Sequence, residues 1–382
     1  MTKKKPSRND PEPNLSAYSA PDSERRSVFA YQCQNCGHVA SLALSDSASC
    51  INCGHTFPII DGRVIVLYDG KTNQNDYFDK IYAPETDQAA YFEKIYGVNP
   101  SSAAGLKRES VLYDGLAAAA RSFVELSGLN FDADLKNLDI LEVACGSGWV
   151  TGTLLRAPSV QNCRFHAFDI SPDGPRMLGR FAAPIESSNV LELSVQDACS
   201  MLFAPNSFDL ILGNSILHHF DDFEFHLDQC YNALRPGGVA LFGEPFALGH
   251  MLAASCLMIA TLNLGRKVPA ITAYYSNTSY KLQNYGNQDA LRHKVDKHMY
   301  MREIFFQLSR RIGFSHVEIR PRHTFDFFSK GYFIDRALAK LGVKDEEVQV
   351  EARKVYKVFA DMFSANTFAY VLPQFMDIIM RK

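Results

Sequence analysis

The 382-residue sequence contains no run of apolar residues long enough for an ordinary membrane helix, which needs about 18 or more. Its N-terminus, MTKKKPSRNDPEPN, lacks the apolar core of a secretory leader, so the cytoplasm is the expected compartment. Charge of one sign is missing too. The 39 Lys and Arg against 42 Asp and Glu give a net −3, which supplies no global attraction to RNA or to an anionic membrane. A disulfide-like distribution of cysteine is also absent: of nine, four stand in one tight pattern and five are scattered singly, which points to metal. With 47% hydrophobic residues, the chain can bury one main core with additions.

The stretch around which the rest is organised is 138–151, LDILEVACGSGWVT. It reads as a buried strand over 138–143, a tight loop over 144–148 and a helix from about Trp149. Small residues in such a loop let the backbone approach a ligand, and the helix N-terminus presents free N–H groups to it. Gly146 and Gly148 provide that permission. Ala144 stands where a dinucleotide fold has its first glycine, so G-x-G-x-x-G is not met. A glycine turn after a strand can be only a turn. The following runs argue otherwise. Phe165-His166-Ala167-Phe168-Asp169 ends in an acid 27 residues after Glu142, somewhat beyond the roughly 20 of a ribose-binding carboxylate. A third run ends at Val195-Gln196-Asp197-Ala198. A fourth is Phe208-Asp209-Leu210-Ile211-Leu212-Gly213-Asn214, and Leu234-Arg235-Pro236-Gly237-Gly238 is expected to end a helix before a fifth strand over 239–243.

In order, the phrases ExACGSG, FDLILGNSILHHF and LRPGGVALFGEP resemble the motif series of class I S-adenosylmethionine (SAM)-dependent methyltransferases. The resemblance implies an α/β, Rossmann-like, seven-stranded sheet, with 317–320 and 375–379 as the sixth and seventh strands. It further implies a SAM site. Glu142 would lie near the methionine amine, and Ala144, Cys145, Gly146 and Gly148 would line the turn. Asp169, with Ile170, would serve the ribose, Asp197, with Ala198, the adenine, and Asn214 would close the site. Asp169 at a strand end could instead be a helix N-cap neighbour. On the acceptor side stand His218, His219 and Glu244. A histidine suits proton removal at neutral pH, with structural hydrogen bonding as the alternative for each.

Cys33-Gln34-Asn35-Cys36 and Cys50-Ile51-Asn52-Cys53 are two C-x2-C knuckles thirteen residues apart, with Gly37 and Gly54 directly after them. Two such knuckles complete a tetrahedral four-sulfur site suited to a structural zinc. With the phrase GHTFPIIDGRV that follows, the segment resembles the small zinc-ribbon activator protein of methyltransferases. The resemblance implies a module in which metal binding supplies folding free energy.

The expected division is a flexible tail at 1–28, a zinc ribbon at 29–70, a SAM-binding domain at 71–248, a lid insertion at 249–300 and the last helix and strands at 301–382, with a helical insertion at 321–372. Short amphipathic helices are expected around YFDKIY and YFEKIY, and another over 103–128. The nearly uncharged stretch 248–264 reads as a lid whose apolar residues face the acceptor pocket, with a peripheral membrane contact as the alternative. The leading function is methyl transfer from SAM to a small or medium-sized, partly apolar molecule. An RNA acceptor is the alternative, since 281–322 holds nine Lys or Arg against four Asp or Glu. A third reading is an inactive protein that keeps the fold for interactions.

Overall fold

The computed structural model describes residues 26–67 and 117–382, apart from residues 184, 186, 286, 292 and 295. The expected tail as far as residue 25, the YFDKIY and YFEKIY phrases and the expected helix as far as residue 116 lie outside the described residues. A helix runs through 117–125.

The apolar runs form strands because both faces of the sheet are covered, which is where continuous rather than alternating hydrophobicity belongs. In the first, β6 (Asp139–Glu142), every residue is buried. Beside it lie β7 (Arg164–Asp169), β8 (Val190–Val195), β9 (Phe208–Asn214) and β10 (Leu234–Pro245), all parallel. The edge is finished by β12 (Phe375–Arg381), antiparallel between β10 and β11 (His316–Pro321). These seven strands stand in the order β8-β7-β6-β9-β10-β12-β11. Strand order reverses beside β6, so its C-terminal end is the switch point where open α/β sheets bind ligands.

The expected count of seven is corrected to twelve. Five strands of the N-terminal segment, β1 (Arg26–Gln32), β2 (Val39–Leu44), β3 (Ser47–Ser49), β4 (Thr56–Ile60) and β5 (Val64–Val66), continue the same sheet beyond β8. The join is β5, which pairs parallel with β8 through Val64 and Leu193, Ile65 and Ser194, and Val66 and Val195. An edge strand exposes unpaired N–H and C=O groups, and β5 covers those of β8. Strand β1 begins three residues before the expected ribbon boundary. A second correction concerns Leu234 to Gly238, which opens β10 instead of ending a helix, with a register shift between Leu234 and Val239.

Side-chain packing welds this segment further. Phe29, Tyr31, Leu42, Phe57 and Ile65 share one core with Phe168, Phe208 and Phe242. Beneath them the buried Tyr31 hydroxyl donates to Glu192 and lies 3.2 Å from His166 Nδ1, while the Val28 N–H donates to the other Glu192 oxygen at 2.7 Å. The opposite sheet face is filled by Phe123, Val124, Val150, Leu154 and Phe165.

Helices follow their caps and apolar faces. Helix α1 (Trp149–Arg156) and α2 (Asp173–Ala182) follow β6 and β7, and α3 (Phe223–Ala233) starts at Asp222, whose carboxylate accepts the Phe225 N–H at 2.9 Å. Past β10 come α4 (Ala247–Asn263) and α5 (Pro269–Gln283), and α6 (Arg302–Ile312) precedes β11. Between β11 and β12 lie α7 (Phe325–Ser329), α8 (Tyr332–Lys340), α9 (Glu346–Asp361) and α10 (Ala365–Tyr370). The two insertions form one helical cap, because Ala253, Cys256, Leu257 and Ala260 of α4 pack with Phe333, Val348, Ala352 and Tyr356. Leu257 is wholly buried. The expected burial of these apolar residues within the protein is met, but the side they were expected to turn to the acceptor pocket is filled by α8 and α9. Among the described residues, no helix is long and apolar enough to cross a membrane.

Candidate active site

The residues expected to hold SAM collect along the C-terminal ends of the parallel strands. Glu142 closes β6, and its carboxylate accepts the Thr151 N–H of α1 at 3.0 Å. Burial raises its pKa to about 7, against the pull of the Thr151 and Val150 hydrogen bonds. The loop after it is sharply wound, with Ala144, Gly146 and Gly148 all in the left-handed region at φ 47°, 50° and 66°. A Cβ on Gly146 would meet nothing within 4 Å, so the glycine serves the backbone turn and leaves an open face beside it. On the other side α2 presses close, since a Cβ on Gly174 would collide with the Gly146 carbonyl.

Asp169 ends β7 directly beside this loop. Its Oδ2 accepts the Gly146 N–H at 2.9 Å and its Oδ1 the Ser171 N–H at 2.9 Å. Burial raises the Asp169 pKa. Ile170 follows at the surface of the turn, half-buried. Asp197, just past β8, accepts the Cys199 N–H at 2.8 Å, and the neighbouring Ala198 carbonyl lies 2.6 Å from His226 Nδ1. The turn at Ala144 to Gly148, Asp169 and Asp197 thus line successive strand ends. Cys145 is held in the same turn by its N–H on the Phe168 carbonyl at 2.8 Å.

Asn214 ends β9, but its side chain faces a partner that sequence reasoning missed. Arg322 donates from Nη1 to Asn214 Oδ1 at 2.7 Å and from Nε to Asp377 at 2.9 Å. Gly243 must stay bare for this, because a Cβ there would collide with Arg322 Nη2. Arg322 lies 108 residues from Asn214 in the chain, and no local motif announces the pairing.

The segment after Asn214 begins with Ser215 at φ 57° and turns through 217–219. Glu244, fully buried on β10, accepts the Ile216 and Leu217 N–H groups at 2.9 Å each and lies 2.6 Å from His218 Nδ1. It is a positioning residue for that turn. From the other side the Lys297 N–H donates to the His218 carbonyl at 2.7 Å, and Lys297 Nζ to the His219 carbonyl at 2.8 Å. Asp296, a second residue not foreseen, stands 3.7 Å from His218 Nε2 and 3.6 Å from His219 Nδ1. Burial pushes the Asp296 pKa up, but His218, His219, Lys281 and Lys340 pull it down further, to about 2. Facing this group from α4 is His250, whose Nδ1 lies 3.0 Å from the Tyr274 hydroxyl and whose buried Nε2 has no partner among the described residues. Burial, then Lys340, Lys281 and His218, lower its pKa to about 3.

Lys281 and Lys297 are buried, Arg302 donates to the Ala369 carbonyl, and Arg311, Arg320 and Arg322 pair with Glu224, Glu318 and Asp377.

At the far end of the sheet, the four cysteine sulfurs converge within 4.8 Å of one another. The two knuckles repeat each other: Gly37 N–H bonds to the Cys33 carbonyl at 2.8 Å and Gly54 N–H to the Cys50 carbonyl at 2.9 Å, both glycines left-handed. Asn35 and Asn52 aim amide N–H groups at Cys53 and Cys36 sulfur, each at 3.5 Å. The Asn35 hydrogen bond is the largest influence drawing the Cys53 pKa down to about 6. Four converging sulfurs with outer N–H donors fit a zinc ion.

A sheet in this order, with a glycine turn after its first strand and acids closing the next two, defines a Rossmann-like methyltransferase fold. Residues 141–242 match the family described as "Methyltransferase domain". Among curated proteins, the malonyl-[acyl-carrier protein] O-methyltransferase of Hahella chejuensis is 30% identical over 155 residues, 37% of this chain and 53% of that protein. The compactin nonaketide synthase polyketide synthase component of Penicillium citrinum is 29% identical over 108 residues, 27% of this chain and 4% of the other. The chain thus spans about half the length of the first and a small part of the second. Among solved structures, Haemonchus contortus phosphoethanolamine N-methyltransferase 2, in complex with phosphomonomethylethanolamine and S-adenosylhomocysteine, has 17% identity and a TM-score of 0.44, covering 80% of this chain and 60% of that one.

Proposed function

We propose that this protein transfers the methyl group of SAM to a small or medium-sized, partly apolar acceptor bound beneath the helical cap. The observation that carries the reading is the left-handed turn at Ala144 to Gly148, open on one face and flanked by the carboxylates of Asp169 and Asp197. In it Asp169 accepts from the ribose hydroxyls and Asp197 from the adenine amine, each carboxylate oxygen having a lone pair beyond the one engaged by backbone. Glu142 sets the turn by holding the N-terminus of α1 and faces the methionine amine. Ala144, Cys145, Gly146, Gly148, Ile170, Ala198 and Asn214 line the cofactor. SAM supplies a sulfonium methyl, already a reactive group, so the chain's task is to position the acceptor.

On the acceptor side stand His218, His219 and Asp296, which give a departing proton somewhere to go, while His250 Nε2, without a partner among the described residues, supplies a polar anchor. The names of the two curated relatives favour an acyl group, free or carried as a thioester, as the acceptor. We propose further that Cys33, Cys36, Cys50 and Cys53 hold one structural zinc. Methyl-tritiated SAM offered with a panel of acyl thioesters, free fatty and keto acids and bulk RNA tests the function. Label is expected in an acyl product and not in RNA. Label in RNA alone, or in nothing across acyl acceptors of varied length, contradicts it.

A further inference from the structure

The tautomer of His218 is set by what lies on its far side. Glu244 is fully buried and accepts three backbone N–H groups, so its contact with His218 Nδ1 at 2.6 Å places a ring proton there, and in the neutral ring the lone pair is then on Nε2, pointing away. That lone pair faces Asp296 Oδ1 at 3.7 Å, and His219 Nδ1 faces the same oxygen at 3.6 Å. Both gaps exceed the roughly 3.2 Å limit of a good hydrogen bond. Two imidazole nitrogens and a carboxylate oxygen therefore converge within 4.8 Å, with the proton of one ring fixed on its outer side.

Such a gap suits an ion. Bonds of about 2.0–2.2 Å to nitrogen and oxygen put neighbouring ligand atoms roughly 3.0–3.5 Å apart, so each histidine nitrogen needs to close on the Asp296 oxygen by only a few tenths of an ångström, while the two nitrogens lie within 4.8 Å of each other. The support is in place as well. Glu244 orients His218 as an outer carboxylate orients a metal-binding histidine. The backbone of 216–219 is clamped between Glu244 on one side and Lys297 and His298, whose N–H groups both reach the His218 carbonyl, on the other.

We propose that His218 Nε2, His219 Nδ1 and Asp296 bind a divalent transition-metal ion, a second metal site separate from the four cysteines. Two imidazoles and one carboxylate select zinc, iron(II), cobalt or manganese over calcium or magnesium, and three protein ligands leave positions open to water or to an oxygen of a bound molecule. The binding itself goes beyond the methyl-transfer reading and needs no SAM. Only the further consequence, that the ion lowers the pKa of an acceptor hydroxyl in place of His219 acting as base, rests on that reading.

Equilibrium dialysis of the untagged full chain against cobalt(II), followed by absorption spectroscopy, tests it. One cobalt per chain is expected without the intense sulfur-to-metal charge transfer of a thiolate site. Asp296→Asn and His219→Ala should each weaken that ion by about tenfold or more, at least the effect of losing an outer partner. Both side chains are partly exposed, and near-ultraviolet circular dichroism checks that the variants fold. Wild-type protein that takes up only thiolate-bound cobalt, or unchanged affinity in both folded variants, overturns the proposal. SAM affinity measured on the same samples reports on the methyl-transfer reading separately, because none of the three ligands is assigned to the cofactor.

Discussion

The two ends of the sheet are finished in different ways. Beyond β8, the cysteine-bearing segment extends the sheet by main-chain pairing and sinks Tyr31 and Phe29 into the core, with Glu192 as a buried anchor. Beyond β10, the cap is assembled from two segments of chain, 247–283 and 325–370, whose helices hold one another by side-chain packing. The first is a covalently short, locally specified module welded to the sheet. The second is an independent satellite core. The lesson is that damage at the ribbon end should reach the sheet and its ligand site, whereas damage to the cap interior should stay in the cap.

The largest effect should come from the ribbon. Cys50→Ser removes a buried sulfur of the proposed zinc site, and loss of metal should destabilise the chain by more than about 4 kcal/mol, together with loss of zinc by metal analysis. Unchanged zinc content and melting would break the contrast. Leu257→Ala in α4 empties a wholly buried position and should cost about 2–5 kcal/mol, yet leave SAM affinity as it was. A parallel loss of SAM affinity would mean that the cap is not a separate unit. Tyr31→Phe is the smallest probe. It leaves a buried Glu192 oxygen without its hydroxyl donor, and about 1–3 kcal/mol should be lost in denaturant unfolding.

The same contrast marks what was legible in the sequence. The cysteine knuckles and the acids Glu142, Asp169 and Asp197 are local patterns, and the structure brings the four sulfurs together and sets the acids at or just past the ends of β6, β7 and β8. What could not be read depends on long-range contact. The merging of ribbon and sheet rests on Val64 to Val66 finding β8 some 130 residues away, and three ordinary β-branched residues do not announce a partner. Helix α4 is apolar nearly all round, so its sequence told that it is buried but not against what. Likewise Asp296 and Arg322 reach their partners 77 and 108 residues away, outside any motif.

The most direct measurement is calorimetric titration of the full chain with SAM, for the wild type and for Asp169→Ala and Asp197→Ala. Saturable binding of one SAM per chain is expected, weakened by about 1–3 kcal/mol in each variant, the scale of leaving a hydrogen-bonded ligand group unpaired. Absence of binding by folded wild-type protein, or affinity unchanged from the wild type in both variants, would contradict a cofactor site at the turn that follows Glu142.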